Sequence, residues 1–418
     1  MKEVTASDFQ KRPLFFRGLN QVWRWIYPLG GKVKLDKDDL IKAARRKTGL
    51  HDLGSDFWDE PLDVLLKSIN KEARLHPFGR FITKQRLINL LIVRLKAEWW
   101  FKKHPEILEQ PLYPVYLIAG LQRTGTTKLQ RLLSVDPDTR PLLSWEALNP
   151  APLEEHFRKK DTRIKAAKTA ETALRFMSPR FFAIHPVEHL APEEDILLLD
   201  TSFMSTTAEA TMHVPTYAAW LEKNNQLLAY EYAAKLLKLL QWQRPAERWV
   251  LKSPHHLEFF ETIVQAFGQV HFIWTHREVY HCMPSFLSMV AHGRAIFSDQ
   301  VQLDVLTKHW LRKMQYMLEQ GMQFRQQPGN EALFTDVIYE DFLAKPMETL
   351  EAIYQKIGGI TPKLRQTFEH WEQANQRPKY GRHAYMLADF DLDQATIDHY
   401  AGVYQRFLKN EITNGGRI

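Results

Sequence analysis

The residues best suited to do chemistry lie in a glycine- and threonine-rich stretch, residues 115–133, that begins as an apolar run. Gly120 and Gly125 allow the backbone to turn sharply, so several amide N–H groups can converge where a helix begins near Thr126. The dipole of that helix also favours negative charge at its N-terminus, and the Arg123 guanidinium adds a positive charge. The stretch therefore predicts an anion-binding strand–loop–helix unit.

The spacing of this loop matches the phosphate loop of nucleotide hydrolases, G-x-x-x-x-G-K-[ST], with one departure. Thr126 stands where that motif carries its lysine. A phosphoryl-transfer enzyme needs this lysine on the β- and γ-phosphates and uses the following hydroxyl to hold magnesium. Here the hydroxyls of Thr126 and Thr127 can hydrogen-bond one phosphate directly. We expect no metal, and a metal-dependent nucleotide kinase or hydrolase is the alternative.

The segment LQRTGTT resembles the 5′-phosphosulfate loop of sulfotransferases that use 3′-phosphoadenosine 5′-phosphosulfate (PAPS). The wider pattern, from TGLHDLG through WEALNPAP to HAYMLADFDLD, resembles the bacterial-type members of that family. The resemblance implies a PAPS-dependent sulfotransferase of P-loop fold, with 3′-phosphoadenosine 5′-phosphate (PAP) as the product. It also implies which residues bind the 5′-phosphate end of the donor: Arg123, Thr124, Gly125, Thr126 and Thr127.

A second pair of candidate binding residues lies in THREVYHCMPSFLSMV. Arg277 follows a strand that ends at Thr275, and Ser285 comes eight positions after Arg277 on the next helix. Ligands of open parallel sheets bind at the carboxyl ends of strands, so this pair and the phosphate loop can face one pocket. The resemblance implies that Arg277 and Ser285 bind the 3′-phosphate. Each residue alone would be unremarkable, as a surface ion pair or a helix serine bonded to its own backbone.

Two later segments complete the predicted donor site. Tyr339, in YEDFLAKP, resembles the family's tyrosine at the adenine, although an aromatic residue at a strand end is usually part of the core. The segment KYGRH carries Lys379, Gly381 and Arg382, which the resemblance loosely equates with a basic loop on the 3′-phosphate. The tryptophan that commonly follows the loop threonines is Lys128 here, so adenine stacking must come from elsewhere.

The predicted catalytic residues lie in two further segments. Lys252, after a central strand in VLKSPHHL, is placed by the resemblance against the transferring sulfonate, where it would neutralise charge on the bridging oxygen. The proton acceptor is left open between His255 and Glu194, with Glu193 and His189 of the segment HPVEHLAPEED as further candidates. These acidic residues would also suit a helix N-terminus, and their spacing matches no zinc pattern.

Apolar runs alternate with helix-patterned segments, which predicts an α/β fold with a parallel central sheet flanked by helices. The candidate strands are residues 115–119, RWVLKSP, VHFIWTHR and ALFTDVIYEDF. Residues 1–110 are patterned as helices and predict an N-terminal helical lobe packed on the core. Residues 111–418 form the predicted sulfotransferase domain.

Composition narrows the class of protein and its partners. The 418 residues are 44% hydrophobic and 25% charged, as in ordinary globular enzymes. The net charge of +7 favours anionic ligands, but the spread of Lys and Arg along the chain argues against nucleic acid. The single cysteine, Cys282, excludes an intramolecular disulfide, and no apolar run approaches the ~18 residues of a membrane span. We therefore expect a cytoplasmic protein that acts on a hydroxyl, or less readily an amine, of a small-molecule or lipid-like acceptor.

The N-terminal segment FFRGLNQVWRWIYPLGG mixes aromatic and basic residues. This mixture is typical of a peripheral membrane contact, but Trp23, Trp25 and Tyr27 would also pack against another lobe or a partner, and we favour the packing interpretation. A non-catalytic protein that binds nucleotide or an acidic membrane surface is the remaining alternative for the whole chain.

Overall fold

A parallel five-stranded sheet lies at the centre of the molecule, which confirms the predicted α/β class. The computed structural model describes residues 4–11, 13–26, 33–159, 161–375 and 383–413. The strands in chain order are β1 (Val4–Thr5), β2 (Val115–Ala119), β3 (Thr139–Pro141), β4 (Arg248–Lys252), β5 (Val270–His276), β6 (Phe334–Ile338) and β7 (His383–Ala384). The central sheet has the order β3-β4-β2-β5-β6, and β1 pairs in parallel with β7 in a separate small sheet.

Helices cover both faces of the sheet, and five of them precede β2, as the predicted N-terminal helical lobe requires. They are α1 (Leu14–Ile26), α2 (Lys37–Thr48), α3 (Asp59–Lys71), α4 (Pro77–Lys103), α5 (Glu106–Glu109), α6 (Thr126–Leu133), α7 (Ser144–Leu148), α8 (Thr162–Met177), α9 (Pro179–Ile184), α10 (Ile196–Leu199), α11 (Thr207–Thr211), α12 (Pro215–Lys223), α13 (Leu227–Gln243), α14 (Phe260–Phe267), α15 (Val279–Ala295), α16 (Leu303–Arg325), α17 (Tyr339–Ala344), α18 (Pro346–Gln355), α19 (Pro362–Ala374) and α20 (Gln394–Phe407). Short 3₁₀ segments lie at Ala6–Gln10, Asp56–Trp58, Asp200–Ser202, Pro254–Glu258, Asn330–Leu333 and Leu387–Phe390, and a π-helical turn at Leu408–Thr413. No helix within the described ranges combines the length and apolarity that a bilayer-spanning segment requires.

The register of the sheet brings the functional loops to one edge. On β2, Ile118 pairs with Lys252 of β4, and Ala119 pairs with Trp274 of β5. All of these strands run in parallel, so the segments that leave their carboxyl ends start side by side. The predicted anion-binding loop after β2, Lys252 and the residues after β5 therefore share one edge of the sheet.

Alternating strand residues divide the core into two parts. Leu117, Leu251 and Phe272 belong to a large cluster that also includes Leu62 of α3 and Leu91 of α4. Residues of opposite parity on the same strands belong to a second cluster with α6, α18 and α19. The period of two is what a sheet covered on both faces requires. The helical lobe shares the first cluster with the sheet, so its helices contribute to the main core.

Two short strands depart from the expected elements. β3 falls in DPDTRPLL, where proline and polar residues suggest a loop, and β1 lies in the region expected to be helical. β3 is an edge strand, the position in a sheet where a proline such as Pro141 is tolerated. Elements of two or three residues have too little periodicity to be detected in sequence.

A buried ion cluster fixes the ends of β5 and β6. Arg325 of α16 donates to both carboxylate oxygens of Asp336, at 2.6 and 2.7 Å, and the His276 imidazole contacts the same carboxylate at 2.7 Å. The other ring nitrogen of His276 lies 3.0 Å from the Tyr404 hydroxyl. His276 and Asp336 directly support the strand ends that lead to Arg277 and Tyr339.

This cluster makes stability depend on pH. Burial pushes the pKa of the Asp336 carboxyl upward, but hydrogen bonds from Arg325 and His276 outweigh burial and hold the pKa well below its usual range. A carboxyl whose pKa is depressed by folding stabilises the fold above its unfolded pKa of about 4 and loses this contribution as the pH falls further. We expect the free energy of unfolding, measured with urea, to decline below about pH 4.

The variant Asp336→Asn tests the source of this decline. It should lower the free energy of unfolding at neutral pH by about 3 kcal/mol and flatten its acid dependence. The exposed Glu247, whose carboxylate has no hydrogen bond or ion pair among the described residues, offers the matched control Glu247→Gln, which should change neither quantity by more than about 0.5 kcal/mol. An unchanged acid decline in Asp336→Asn would show that other groups cause it.

Candidate functional site

The loop between β2 and α6 is pinned against the end of β5. Gly120 has φ of 145°, and a Cβ built there would lie 2.2 Å from the Thr275 Oγ1 and 2.6 Å from the Thr275 carbonyl oxygen. The Thr124 hydroxyl donates to the Leu121 carbonyl oxygen at 2.6 Å and lies 2.7 Å from the Thr275 hydroxyl. Only glycine at position 120 permits this approach, which holds the loop over the sheet edge.

Arg123 joins the loop to the segment after β5. Its Nε donates to the Ser285 Oγ at 3.1 Å, and Arg277 Nη1 donates to the Arg123 carbonyl oxygen at 2.9 Å. Arg123 also has a left-handed backbone, with φ of 72°, which is unfavourable for a residue with a side chain. Arg123, Arg277 and Ser285, which are predicted to bind the two ends of the donor, are therefore linked by direct contacts. The backbone of Arg123 is strained at this point.

The two guanidiniums leave an excess of positive charge at the loop. Among the described residues, Arg123 has no carboxylate within ion-pairing distance, and Arg277 has only Glu340, at 3.8 Å. Burial lowers the pKa of the Arg123 guanidinium, and the neighbouring charge of Arg277 lowers that pKa further. Charges that are partly buried without a counter-ion are costly, so this arrangement favours a bound anion.

Tyr339 lies between the two parts of this site. Its ring lies 4.1 Å from the Arg277 guanidinium, and a Cβ at Gly125 would come within 2.9 Å of the ring. The tyrosine thus supports Arg277 by a cation–π contact and packs over the loop. Tyr339, which is predicted to contact an adenine, thus lies beside Arg277 and the loop. Part of its ring is exposed and can stack on an aromatic ligand.

The start of α6 presents hydroxyls and no lysine. Thr126 is buried at the first turn, whereas Thr127 is exposed. Lys128 turns away from the loop, because its ammonium contacts the Glu372 carboxylate of α19 at 2.6 Å. The positive charge at this helix N-terminus therefore comes from arginines outside the helix.

Lys252 lies at the same sheet edge in an acidic setting. Its ammonium is almost fully buried and contacts the Glu194 carboxylate at 2.7 Å, and Asp195 Oδ1 accepts from its backbone N–H at 3.0 Å. The second oxygen of Asp195 lies 2.7 Å from the His256 imidazole, whose other nitrogen lies 2.9 Å from the Tyr230 hydroxyl. Asp195 and His256 therefore hold the backbone that carries Lys252 and Glu194.

The candidate proton acceptors differ in their surroundings. The His255 ring is buried among aromatic rings, including Phe259, and Gln226 Oε1, at 3.4 Å, is its one hydrogen-bond partner among the described residues. Burial, together with the adjacent His256, holds the pKa of His255 well below the usual range. His189 contacts the Glu171 carboxylate at 2.6 Å. The Glu193 carboxylate accepts from the Glu194 backbone N–H at 2.9 Å. Glu194 alone among these candidates contacts Lys252.

His185, another of the possible proton acceptors that the segment HPVEHLAPEED offers in sequence, also lies at this site. Its imidazole lies near Glu193, Glu194, Lys252 and Arg123, which are the charges that influence its pKa. Burial lowers that pKa and outweighs the two carboxylates, so His185 is neutral at pH 7. In the sequence, His185 is one of six acidic or histidine residues in HPVEHLAPEED. These six could not be ranked as proton acceptors without knowledge of their long-range contacts.

Three of the predicted binding residues, Lys379, Gly381 and Arg382, lie outside the described residues. The chain after them returns to the site, because Tyr385 is close enough to Arg123 to influence its pKa. Within the described ranges, no group of three or more His, Cys, Asp or Glu side chains is placed to hold a metal ion.

The loop of residues 120–125, called the anion loop below for its predicted role, leaves the carboxyl edge of the parallel sheet beside Lys252. The chain belongs to the sulfotransferase family, whose model matches residues 114–362. This span covers all five strands of the central sheet and the anion loop. The protein is thus a sulfotransferase, an enzyme that transfers a sulfonate group.

Two solved structures are similar over most of their length. One is sulfotransferase STF1 from Mycobacterium tuberculosis H37Rv, with 28% identity, a TM-score of 0.77 and coverage of 88% of this chain and 98% of that chain. The other is sulfotransferase STF9 from Mycobacterium avium, with 24% identity, a TM-score of 0.79 and coverage of 89% and 97%. The second likeness concerns the fold alone. A search of curated protein sequences found no significant match.

Because Gly120 lies so close to Thr275, adding a single methyl group at position 120 should destabilise the protein strongly. In Gly120→Ala the new Cβ meets a backbone oxygen that cannot move without shifting β5, so the free energy of unfolding should fall by more than about 2 kcal/mol. Gly329 also has a positive φ, of 90°, but a Cβ there meets nothing within 4 Å. The control Gly329→Ala should therefore cost only about 1 kcal/mol, and equal losses in urea unfolding would contradict the steric explanation.

Proposed function

We propose that the enzyme uses PAPS as its sulfonate donor and a hydroxyl of a small-molecule or lipid-like compound as its acceptor. The observation that carries this proposal is the pair of adjacent guanidiniums, Arg123 and Arg277, at a loop in which Thr126 replaces the lysine of nucleotide hydrolases. Such a site suits a nucleotide with two separate phosphates better than a magnesium-bound triphosphate. The single, buried Cys282 suits a reducing compartment, and we include a cytoplasmic location in the proposal.

The residues present fit the donor at two ends. Thr126, Thr127 and the loop amides would hold the 5′-phosphate at the start of α6. Arg277 and Ser285 would hold the 3′-phosphate, for which Ser285 would exchange its contact with Arg123. The exposed part of Tyr339 would lie against the adenine. Lys379, Gly381 and Arg382 stay a prediction for the 3′-phosphate.

The proposed reaction is an in-line displacement at sulfur. The acceptor oxygen forms a bond to sulfur while the bond from sulfur to the 5′-phosphate oxygen breaks, and PAP leaves with the electron pair of that bond. Lys252 donates a hydrogen bond to the oxygen on which charge develops. Glu194 accepts the proton of the acceptor hydroxyl, because it is the candidate in contact with Lys252. Neutral His185 is the nearby alternative acceptor, and the setting of His255 does not favour this role.

Binding of PAP tests the donor assignment without knowledge of the acceptor. Isothermal titration calorimetry should show binding in the absence of magnesium. Arg277→Ala should weaken binding roughly 10- to 100-fold, since it removes charge-assisted hydrogen bonds to a phosphate. The control Arg406→Ala removes an exposed arginine of α20 and should leave the affinity unchanged. Binding of ATP that requires magnesium, with no binding of PAP, would instead support the kinase or hydrolase alternative.

Turnover tests the catalytic residues. Labelled PAPS should transfer its sulfonate to at least one member of a panel of phenols, sterols, hydroxy-acyl compounds and sugars. With that acceptor, Glu194→Gln should lower kcat by roughly 10²- to 10⁴-fold while PAP affinity is retained. Glu193→Gln is the matched neighbour and should lower kcat only a few-fold.

His255→Ala and His185→Asn complete the comparison of proton acceptors. We expect His255→Ala to keep kcat within a few-fold once its folded fraction is corrected for. A large loss in His185→Asn together with retained activity in Glu194→Gln would transfer the role of base to the histidine. Loss in His255→Ala alone would contradict the role proposed for Glu194.

A further inference from the structure

Only part of the apolar surface of helix α1 is buried against the rest of the protein. At about 100° per residue, Phe16 and Trp23 fall on one side of the helix, and Leu14, Val22 and Trp25 fall on an adjoining arc of about 100° together with Phe15. Phe16 is buried and lies 5.3 Å, ring to ring, from Phe78 of α4. The first side therefore attaches the helix to the lobe.

The second side faces solvent. The exposed fractions are 79% for Leu14, 63% for Phe15, 56% for Val22 and 70% for Trp25. Phe176 of α8, which is 60% exposed, extends this surface, because its ring lies 6.2 Å from that of Phe15. These five side chains are called the α1 patch below. Trp25 does not pack against another lobe within the described residues, whereas Trp23 lies half-buried, 5.8 Å from Phe81. Tyr27 lies outside the described residues.

The charged residues of α1 itself, which border the α1 patch, are basic. The helix has no acidic residue, and Arg17, Gln21 and Arg24 form its polar strip next to Leu14 and Trp25. Arg24 contacts the Asp299 carboxylate, whereas Arg17 has no carboxylate partner among the described residues. A broad apolar arc bordered by arginines is the pattern of a helix that lies in a membrane interface.

We propose that α1 docks the enzyme on an anionic membrane surface, with the α1 patch in the headgroup region and Arg17 against lipid phosphates. The net charge of the chain, +7, adds long-range attraction to such a surface. A second copy of the chain is a poorer occupant, because a two-fold pair of α1 helices would bring the two arginine strips together. The proposal is independent of PAPS and of the acceptor.

Sedimentation with sucrose-loaded vesicles tests this docking with the full chain and no nucleotide. We expect binding to vesicles of phosphatidylcholine with phosphatidylserine, and at least about tenfold weaker binding to phosphatidylcholine alone. The double variant Phe15→Ser with Trp25→Ser should lower the partition coefficient more than about tenfold. Arg17→Gln should lower it about fivefold on the anionic vesicles, and added salt should remove this difference.

Matched variants elsewhere show whether the patch itself is responsible. Leu228 and Val403 are similarly exposed, at 55% and 53%, on α13 and α20. The double variant Leu228→Ser with Val403→Ser should bind vesicles as the unchanged chain does, and Lys235→Gln is the control for Arg17→Gln. Absence of vesicle binding, or equal losses in patch and control variants, would overturn the proposal. A dimer seen by light scattering that only the patch variant dissociates, without vesicle binding, would assign the surface to a second copy.

Discussion

The close approach of the anion loop to the end of β5 is the constraint on which the site depends. Gly120 lies against the backbone of Thr275, and the hydroxyls of Thr124 and Thr275 lock the two segments together. This contact sets the distance between the loop and the residues that follow β5, so Arg123 reaches Ser285 and Arg277 reaches the loop carbonyl. The Asp336 cluster beneath then holds β5 and β6 in place. The site is thus built on strand ends that cannot move independently.

A second constraint is the separation of charge at the sheet edge. At the loop, the Arg123 and Arg277 guanidiniums have few carboxylate partners among the described residues. At Lys252, by contrast, Glu194 and Asp195 are in direct contact with the lysine residue. The two sides are linked, since Gln130 of α6 donates to the Glu193 carbonyl oxygen at 3.0 Å. The uncompensated positive half suits the anionic donor proposed above, and the neutralised half suits the proposed uncharged acceptor.

The local pattern of apolar residues and glycines in the sequence was sufficient to predict the main strands and helices of the fold. The uniformly apolar β2 and the glycines around the loop are short-range signals, and the structure has the strand, turn and helix at these residues. The three-residue β3 has no such signal. The selection of a base from HPVEHLAPEED depends on contacts with Lys252, more than fifty residues further along the chain, and no local pattern carries this information. The partial burial of α1 is equally non-local, because periodicity identifies an apolar face but not what covers it.

The contact between Lys252 and Glu194 has a kinetic consequence for the mechanism proposed above. In this pair, one oxygen of the Glu194 carboxylate is engaged by the Lys252 ammonium. In the mechanism proposed above, arrival of the donor would draw the Lys252 ammonium away from Glu194 and free the carboxylate oxygen, so an acceptor that binds first would meet a carboxylate that is still paired. The two substrates would then bind in a compulsory order, with the nucleotide before the acceptor. The same ion pair would also limit hydrolysis, the transfer of sulfonate to water.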